Sequence, residues 1–359
     1  MSFAGYIYAI LAAVLFGAST PAAKWLLADA SPWLLAGLLY LGSGIGLFIA
    51  RLSLRILSPS RSEAPIRGRQ WFWLLGATLF GGVIAPVFLM YGLAGSDAAT
   101  GALLLNTEGV FTALLAWFVF EENFDRRIFL GMVLILAGGA LLSWGGFSTA
   151  AGLRGPGFIA LACIAWAADN NLTKKIADGD AMQIAMIKGL VAGLTNTLLA
   201  LGFTKVGLAT GQVMMACVVG FLGYGVSLLC FVLALRSIGA ARTGAYFSLA
   251  PFVGAGIALI AGDAVVTWQL AGAGGLMAIG VWLHLTERHS HEHTHECMEH
   301  EHSHVHDEHH DHQHTDLAGQ GEATGPLQVK TLRHSHRHRH EKLTHSHAHF
   351  PDAHHLHSH

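Results

Sequence analysis

The chain has 359 residues, of which 53% are hydrophobic and 12% charged, with a formal net charge of −2. Soluble domains carry about 25% charged residues, so the composition excludes an ordinary water-soluble domain. Its basic residues are spaced along the chain rather than gathered in a patch, which excludes nucleic acid as a partner, and no nucleophile–base set or Gly-rich phosphate loop marks an enzyme.

Apolar runs of about 20 residues, enough to cross a bilayer core of about 30 Å as helices, recur along the chain. In order they lie near 4–27, 32–51, 70–93, 97–120, 128–145, 156–175, 180–203, 212–235, 240–261 and 268–286. The first begins at Phe3 with no basic segment before it, which does not fit a cleavable leader. Cys163, Cys217 and Cys230 fall in apolar runs and Cys297 stands apart, so no disulfide framework is expected. All 24 histidines lie between His284 and His359. The expected architecture is an all-α polytopic membrane protein with ten transmembrane helices and a disordered His-rich tail.

Lys and Arg set the orientation through the positive-inside rule. With the N-terminus in the cytoplasm, the inner loops hold Arg51, Arg55, Arg61, Arg67, Arg69, Arg126, Arg127, Lys174, Lys175, Arg236 and Arg242. The outer loops hold Lys24, Arg154 and Lys205. Ten spans return the tail to the cytoplasm, and the expected location is the plasma (inner) membrane.

The spans repeat. Thr100-Gly101-Ala102 opens the fourth and Thr243-Gly244-Ala245 the ninth, an offset of 243 − 100 = 143. Phe16 and Lys24 in the first answer Trp166 and Lys174 in the sixth, an offset of 166 − 16 = 150. Five spans per half is an odd number, so the halves are inverted, the pattern of secondary transporters with a site between the halves. The expected units are 1–148, 149–287 and a tail over 288–359.

Over roughly residues 4–285 the chain resembles the EamA family of the drug/metabolite transporter superfamily. The first half carries Ala98-Ala99, Glu122, Gly131 and Gly138; the second carries Ala240-Ala241, Pro251 and Gly280. Two positions depart from the pattern. Glu108 stands where the family places a fourth-span proline, and Ala264, beside Asp263, stands where a helix-end Glu is expected. The resemblance implies a ten-helix permease with a central cavity lined by helices 1, 3, 4, 6, 8 and 9; it implies no substrate.

Ionisable groups inside spans are costly, so each is a candidate for function. Glu108, midway along the fourth span, can bind a cation or carry a coupling proton, with Asn106 and Thr107 as neutral oxygen donors. Asp169-Asn170-Asn171 in the sixth span forms either a polar cavity wall or a cap at an early helix end. Lys188 in the seventh is either a counter-ion for Asp169 or Glu108 or a snorkelling interfacial lysine. Tyr91, Tyr224 and Tyr246 lie on cavity-lining spans, Tyr246 near the mouth.

The tail alternates histidine with other residues in two blocks, 289–314 and 334–359. Neutral imidazole ligates zinc, nickel, cobalt and copper. The expected ligands are His289, His291, His293, His295, His300, His302, His304 and His306 of the first block, where interspersed Glu and Asp favour a cation. Arg333, Arg337 and Arg339 weaken the second block.

Together these features predict a secondary active transporter, an exporter of a small solute working by alternating access. A divalent transition metal collected by the tail is the sharper expectation, although no histidine lines the path. The alternatives are an amino-acid or metabolite exporter with a regulatory tail, and a membrane-anchored metal buffer or sensor. The partners are the bilayer and the small-molecule or ion substrate, with a homodimer left open. No cofactor is required beyond nickel, cobalt or zinc held by the tail.

Overall fold

A computed structural model describes residues 3–57, 66–120, 126–144, 152–176, 179–203, 209–238, 240–286, 289–295, 298–304, 334–340 and 343–349. The apolar runs form ten helical rods. These are α1 (Phe3–Leu26), α2 (Pro32–Leu57), α3 (70–94), α4 (98–120), α5 (Arg126–Ser143), α6 (Arg154–Lys174), α7 (Ala181–Phe203), α8 (210–238), α9 (240–260) and α10 (Trp268–Leu285).

Among the described residues, seven stretches are long and apolar enough to cross a membrane by length and composition. Of the other rods, α6 carries Asp169, Asn170 and Asn171, α9 is split in two, and the apolar part of α10 is the shorter Trp268–Leu283. Phe48, Leu52, Phe72, Leu75, Leu198 and Trp282 face outward, as lipid contact requires.

Local chemistry sets the rod ends. Asp97 and Thr267 cap α4 and α10 by accepting from Thr100 N at 2.8 Å and Leu270 N at 3.1 Å. Gly262, at φ +80°, ends α9 in a Schellman turn, with Asp263 N on Ala258 O and Gly262 N on Leu259 O.

Helix packing obeys a two-fold relation between the halves. The pairs α2–α7, α4–α9 and α5–α10 map onto themselves when each rod is exchanged for the rod five places along. Under the same exchange α3–α6 becomes α8–α1, α4–α6 becomes α9–α1, and α3–α7 becomes α8–α2. At the centre of the α2–α7 pair, a Cβ on Gly189 would lie 2.6 Å from the Gly44 nitrogen, so the backbones touch only because both residues are glycine.

Irregular helix recurs with the same spacing as the sequence repeat. Both α3 and α8 contain a π-helical segment, Thr78–Ile84 and Phe221–Val226, and 221 − 78 = 143. Each of α4 and α9 is broken midway. Ala98–Leu104 is followed by Thr107–Phe120, and Ala240–Phe247 by Ala250–Ile260, with 250 − 107 = 143.

The expected disordered tail is described in four segments: β1 (His289–His295), β2 (Met298–His304), β3 (His334–His340) and β4 (Leu343–His349). β1 pairs with β4 and β2 with β3, both antiparallel. Their period-two alternation suits a strand, but two-stranded ladders are marginal on their own in water. The body's packing is helix on helix.

Candidate transport site

The break in α4 positions Glu108. Asn106 turns its amide onto Leu103 O at 3.1 Å and Thr107 its hydroxyl onto Leu104 O at 2.7 Å, so side chains compete with the helical ladder. The helix restarts at Thr107 and holds Glu108 in its first turn, where the helix dipole favours an acid. The matching restart in α9 uses Pro251, which lacks the N–H that a continuous helix needs. Since 251 − 108 = 143, Glu108 and Pro251 occupy equivalent places on the two half-helices.

Glu108 is half-buried and accepts from Asn170 Nδ2 at 2.8 Å. That amide also reaches Thr112 Oγ1 at 3.3 Å, one turn beyond Glu108. Asn171 Nδ2 bonds Thr112 O at 3.3 Å and Ala167 O at 2.9 Å, tying α6 to α4. α6 runs on to Lys174, so Asp169, Asn170 and Asn171 lie inside the helix and do not cap an early end.

Asp169 faces α7 and α3. Lys188 Nζ approaches its two carboxylate oxygens at 2.5 and 2.7 Å, and Thr173 Oγ1 donates to it at 2.8 Å. Both charged residues are buried, at 7% and 5% exposure. The carboxylate lies against Gly81, where a Cβ would come within 1.8 Å of Oδ2. Gly81 belongs to the π-helical segment of α3, whose carbonyls take side-chain donors. Tyr40 and Trp166 donate to Gly81 O at 2.7 and 3.0 Å, and Asn196 to Gly82 O and Val83 O at 3.2 Å. In the other half Ser19 stands at the equivalent place, packed on Gly223. One half therefore carries an ion pair where the other carries a hydroxyl.

The structure thus brings Glu108 and Asn170 together and pairs Lys188 with Asp169, one residue before Asn170. Asn106 donates its amide N–H to the Leu103 carbonyl at 3.1 Å and to Met277 Sδ on α10 at 3.8 Å. Tyr246 is apart, stacked edge-on against Tyr6 at 5.5 Å in a cluster with Ala9 and Ile238. Tyr91 packs on Phe158 at 5.6 Å. Sequence reading missed Thr112, Thr173 and Tyr40. The two threonines sit four residues after Glu108 and Asp169 on the same helical faces, a spacing that could have flagged them.

An aromatic cluster joins the halves beside this site. Phe16 lies 6.1 Å from Trp166, 5.8 Å from Tyr224 and 5.3 Å from Phe247, and Tyr40 lies 5.3 Å from Tyr224. A separate groove lined by Leu104, Thr107, Phe111, Gly139 and Ser143 adjoins the α4 break and carries no charged group. Of the expected tail ligands, His306 lies outside the described residues; His289, His291, His293, His295, His300, His302 and His304 lie on β1 and β2.

Ten apolar rods in two matched halves, with charged groups beside broken and π-helical segments, define a multi-pass membrane protein of transporter architecture. Residues 3–144 match the family described as the EamA-like transporter family. A protein of Methanothermobacter thermautotrophicus named as an uncharacterized transporter is 33% identical over 270 residues, covering 71% of this chain and 78% of that protein. An uncharacterized transporter of Synechocystis sp. is 25% identical over 128 residues, covering 36% of this chain and 37% of its own length. A crystal structure superposes with a TM-score of 0.59 at 20% identity, covering 78% of this chain and 94% of the other, and shows the shared fold. The chain belongs to the EamA-like transporter family.

Proposed function

We propose that the protein is a secondary active transporter that exports a small solute by alternating access of two inverted halves, 1–148 and 149–287. The observation that carries this reading is the break midway along α4, which holds Glu108 in the first turn of a half-helix. Broken helices of this kind build transporter sites near the midplane. Glu108, with Asn170 and Thr112, forms the site at which solute or coupling proton binds; Asp169 and Lys188 hold α6 against α7 and α3. In this reading the protein lies in the plasma membrane with both termini in the cytoplasm, consistent with its basic loops. Reconstitution of the full chain and Glu108→Gln in proteoliposomes, with a proton gradient applied, tests the proposal; gradient-driven flux in the variant equal to that of the parent would refute it.

A second reading keeps a divalent transition metal as cargo. It is favoured by the HxH blocks over 289–314 and 334–359, which would collect nickel, cobalt or zinc at the inner face. Metal flux that survives removal of residues 289–359 but fails in Glu108→Gln would support it. Metal binding with no flux from any variant would leave the tail a buffer or sensor.

A further inference from the structure

The charge in this region does not balance. Asp169 is matched by Lys188, whose ammonium contacts both carboxylate oxygens. Glu108 receives one amide hydrogen bond, from Asn170, and no basic side chain pairs with it among the described residues. With Glu108 ionised, Glu108, Asp169 and Lys188 together carry one uncompensated negative charge, in a region where charge is costly unless matched.

The available donors are few. The Glu108 carboxylate, the Asn170 amide oxygen and the Thr112 hydroxyl supply neither the six to eight oxygens that calcium takes nor the octahedral shell of magnesium. Among the described residues no three His, Cys, Asp or Glu side chains gather as a transition-metal site. A site with one spare negative charge and a few hydrogen-bond acceptors suits a single positive charge, such as an ammonium.

The neighbouring surface suits an apolar body on such a cation. Trp166 precedes Asn170 by four residues, a spacing that places it on the face of its polar neighbour. Trp166 leads into the rings of Phe16 and Tyr224, and aromatic faces attract cations. Tyr224 is 7% exposed, and its hydroxyl has no hydrogen-bond partner among the described residues. A buried polar atom of this kind calls for a partner.

We infer that the site selects a monovalent organic ammonium, its charge on Glu108 and its apolar body on the Phe16–Trp166–Tyr224 rings. The inference rests on the transport reading and narrows its substrate. The test is equilibrium binding to the purified full chain of three compounds of one shape: phenethylamine, the neutral phenethyl alcohol and the anionic phenylacetate. Only the amine is expected to bind saturably. Glu108→Gln should weaken it about tenfold or more, the worth of a charge-assisted hydrogen bond. Asn170→Asp adds a second negative charge and should shift preference toward cadaverine, a diamine; this keeps the inference testable where Glu108→Gln fails to fold. Equal binding of all three compounds, no amine binding, or amine binding indifferent to both variants overturns it. Those outcomes leave the transport reading standing if any solute shows gradient-driven flux, whereas amine binding without flux of any solute would remove the transport reading and keep the site.

Discussion

Lys188 grips both carboxylate oxygens of Asp169, at 2.5 and 2.7 Å, and joins α7 to α6 beside the π-helical turn of α3. Both residues are buried. Removing one partner of a buried pair strands the other charge, at a cost of about 3–5 kcal/mol, whereas an apolar replacement of both is often neutral. Lys188→Met should therefore lower the thermal unfolding temperature in detergent sharply, and Asp169→Asn with Lys188→Met should recover most of the loss. Equal losses in the single and double variants would show that the pair is not what holds these rods.

Gly81 leaves the space that Asp169 fills, since a Cβ there would meet Oδ2 at 1.8 Å. Gly81→Ala has to push the carboxylate off Lys188 or move α3 from α6. Overpacking of this kind costs about 1–3 kcal/mol. The same change at the open Gly256, with nothing within 4 Å, serves as the control and should shift the melting temperature little.

The equivalence of Glu108 and Pro251 predicts an unusual tolerance. Glu108→Pro places a proline where the other half already has one, at the start of a helical segment. It gives up the bond from Glu108 N to Leu105 O, 3.0 Å long, worth about 0.5–1.5 kcal/mol. The variant should fold and elute as the parent does, yet lose flux, because the carboxylate is gone. Aggregation of Glu108→Pro in detergent would show that the α4 break differs from that of α9.

The tail should be separable from the body, whose packing is helix on helix. Cutting the chain after Arg288 should leave the unfolding temperature in detergent unchanged, and a calorimetric titration with nickel should show binding to the full chain and none to the shortened one. Retention of that binding would move the metal site into residues 1–288, where His284 is the sole histidine.

Much of this was legible from residues alone, for reasons that differ by element. The rods follow from apolar length, and the offset of 143 between Thr100 and Thr243 reappears in the π segments and helix breaks. Pro251 announces the break in α9. The α4 break carries no such sign, because it rests on local bonds from Asn106 and Thr107 that compete with the ladder only in this packing. The π segment of α3 depends on donors from three other rods, Tyr40, Trp166 and Asn196, which no local pattern reveals. The choice between a paired and a snorkelling Lys188 needed the distance to Asp169.

The most direct measurement is gradient-driven flux through oriented proteoliposomes holding the full chain, Glu108→Gln or Glu108→Asp. Flux should vanish in Glu108→Gln, persist at a reduced rate in Glu108→Asp, and respond to the proton gradient only where a carboxylate remains. Gradient-dependent flux in Glu108→Gln equal to that of the parent would contradict the placement of the transport site at Glu108.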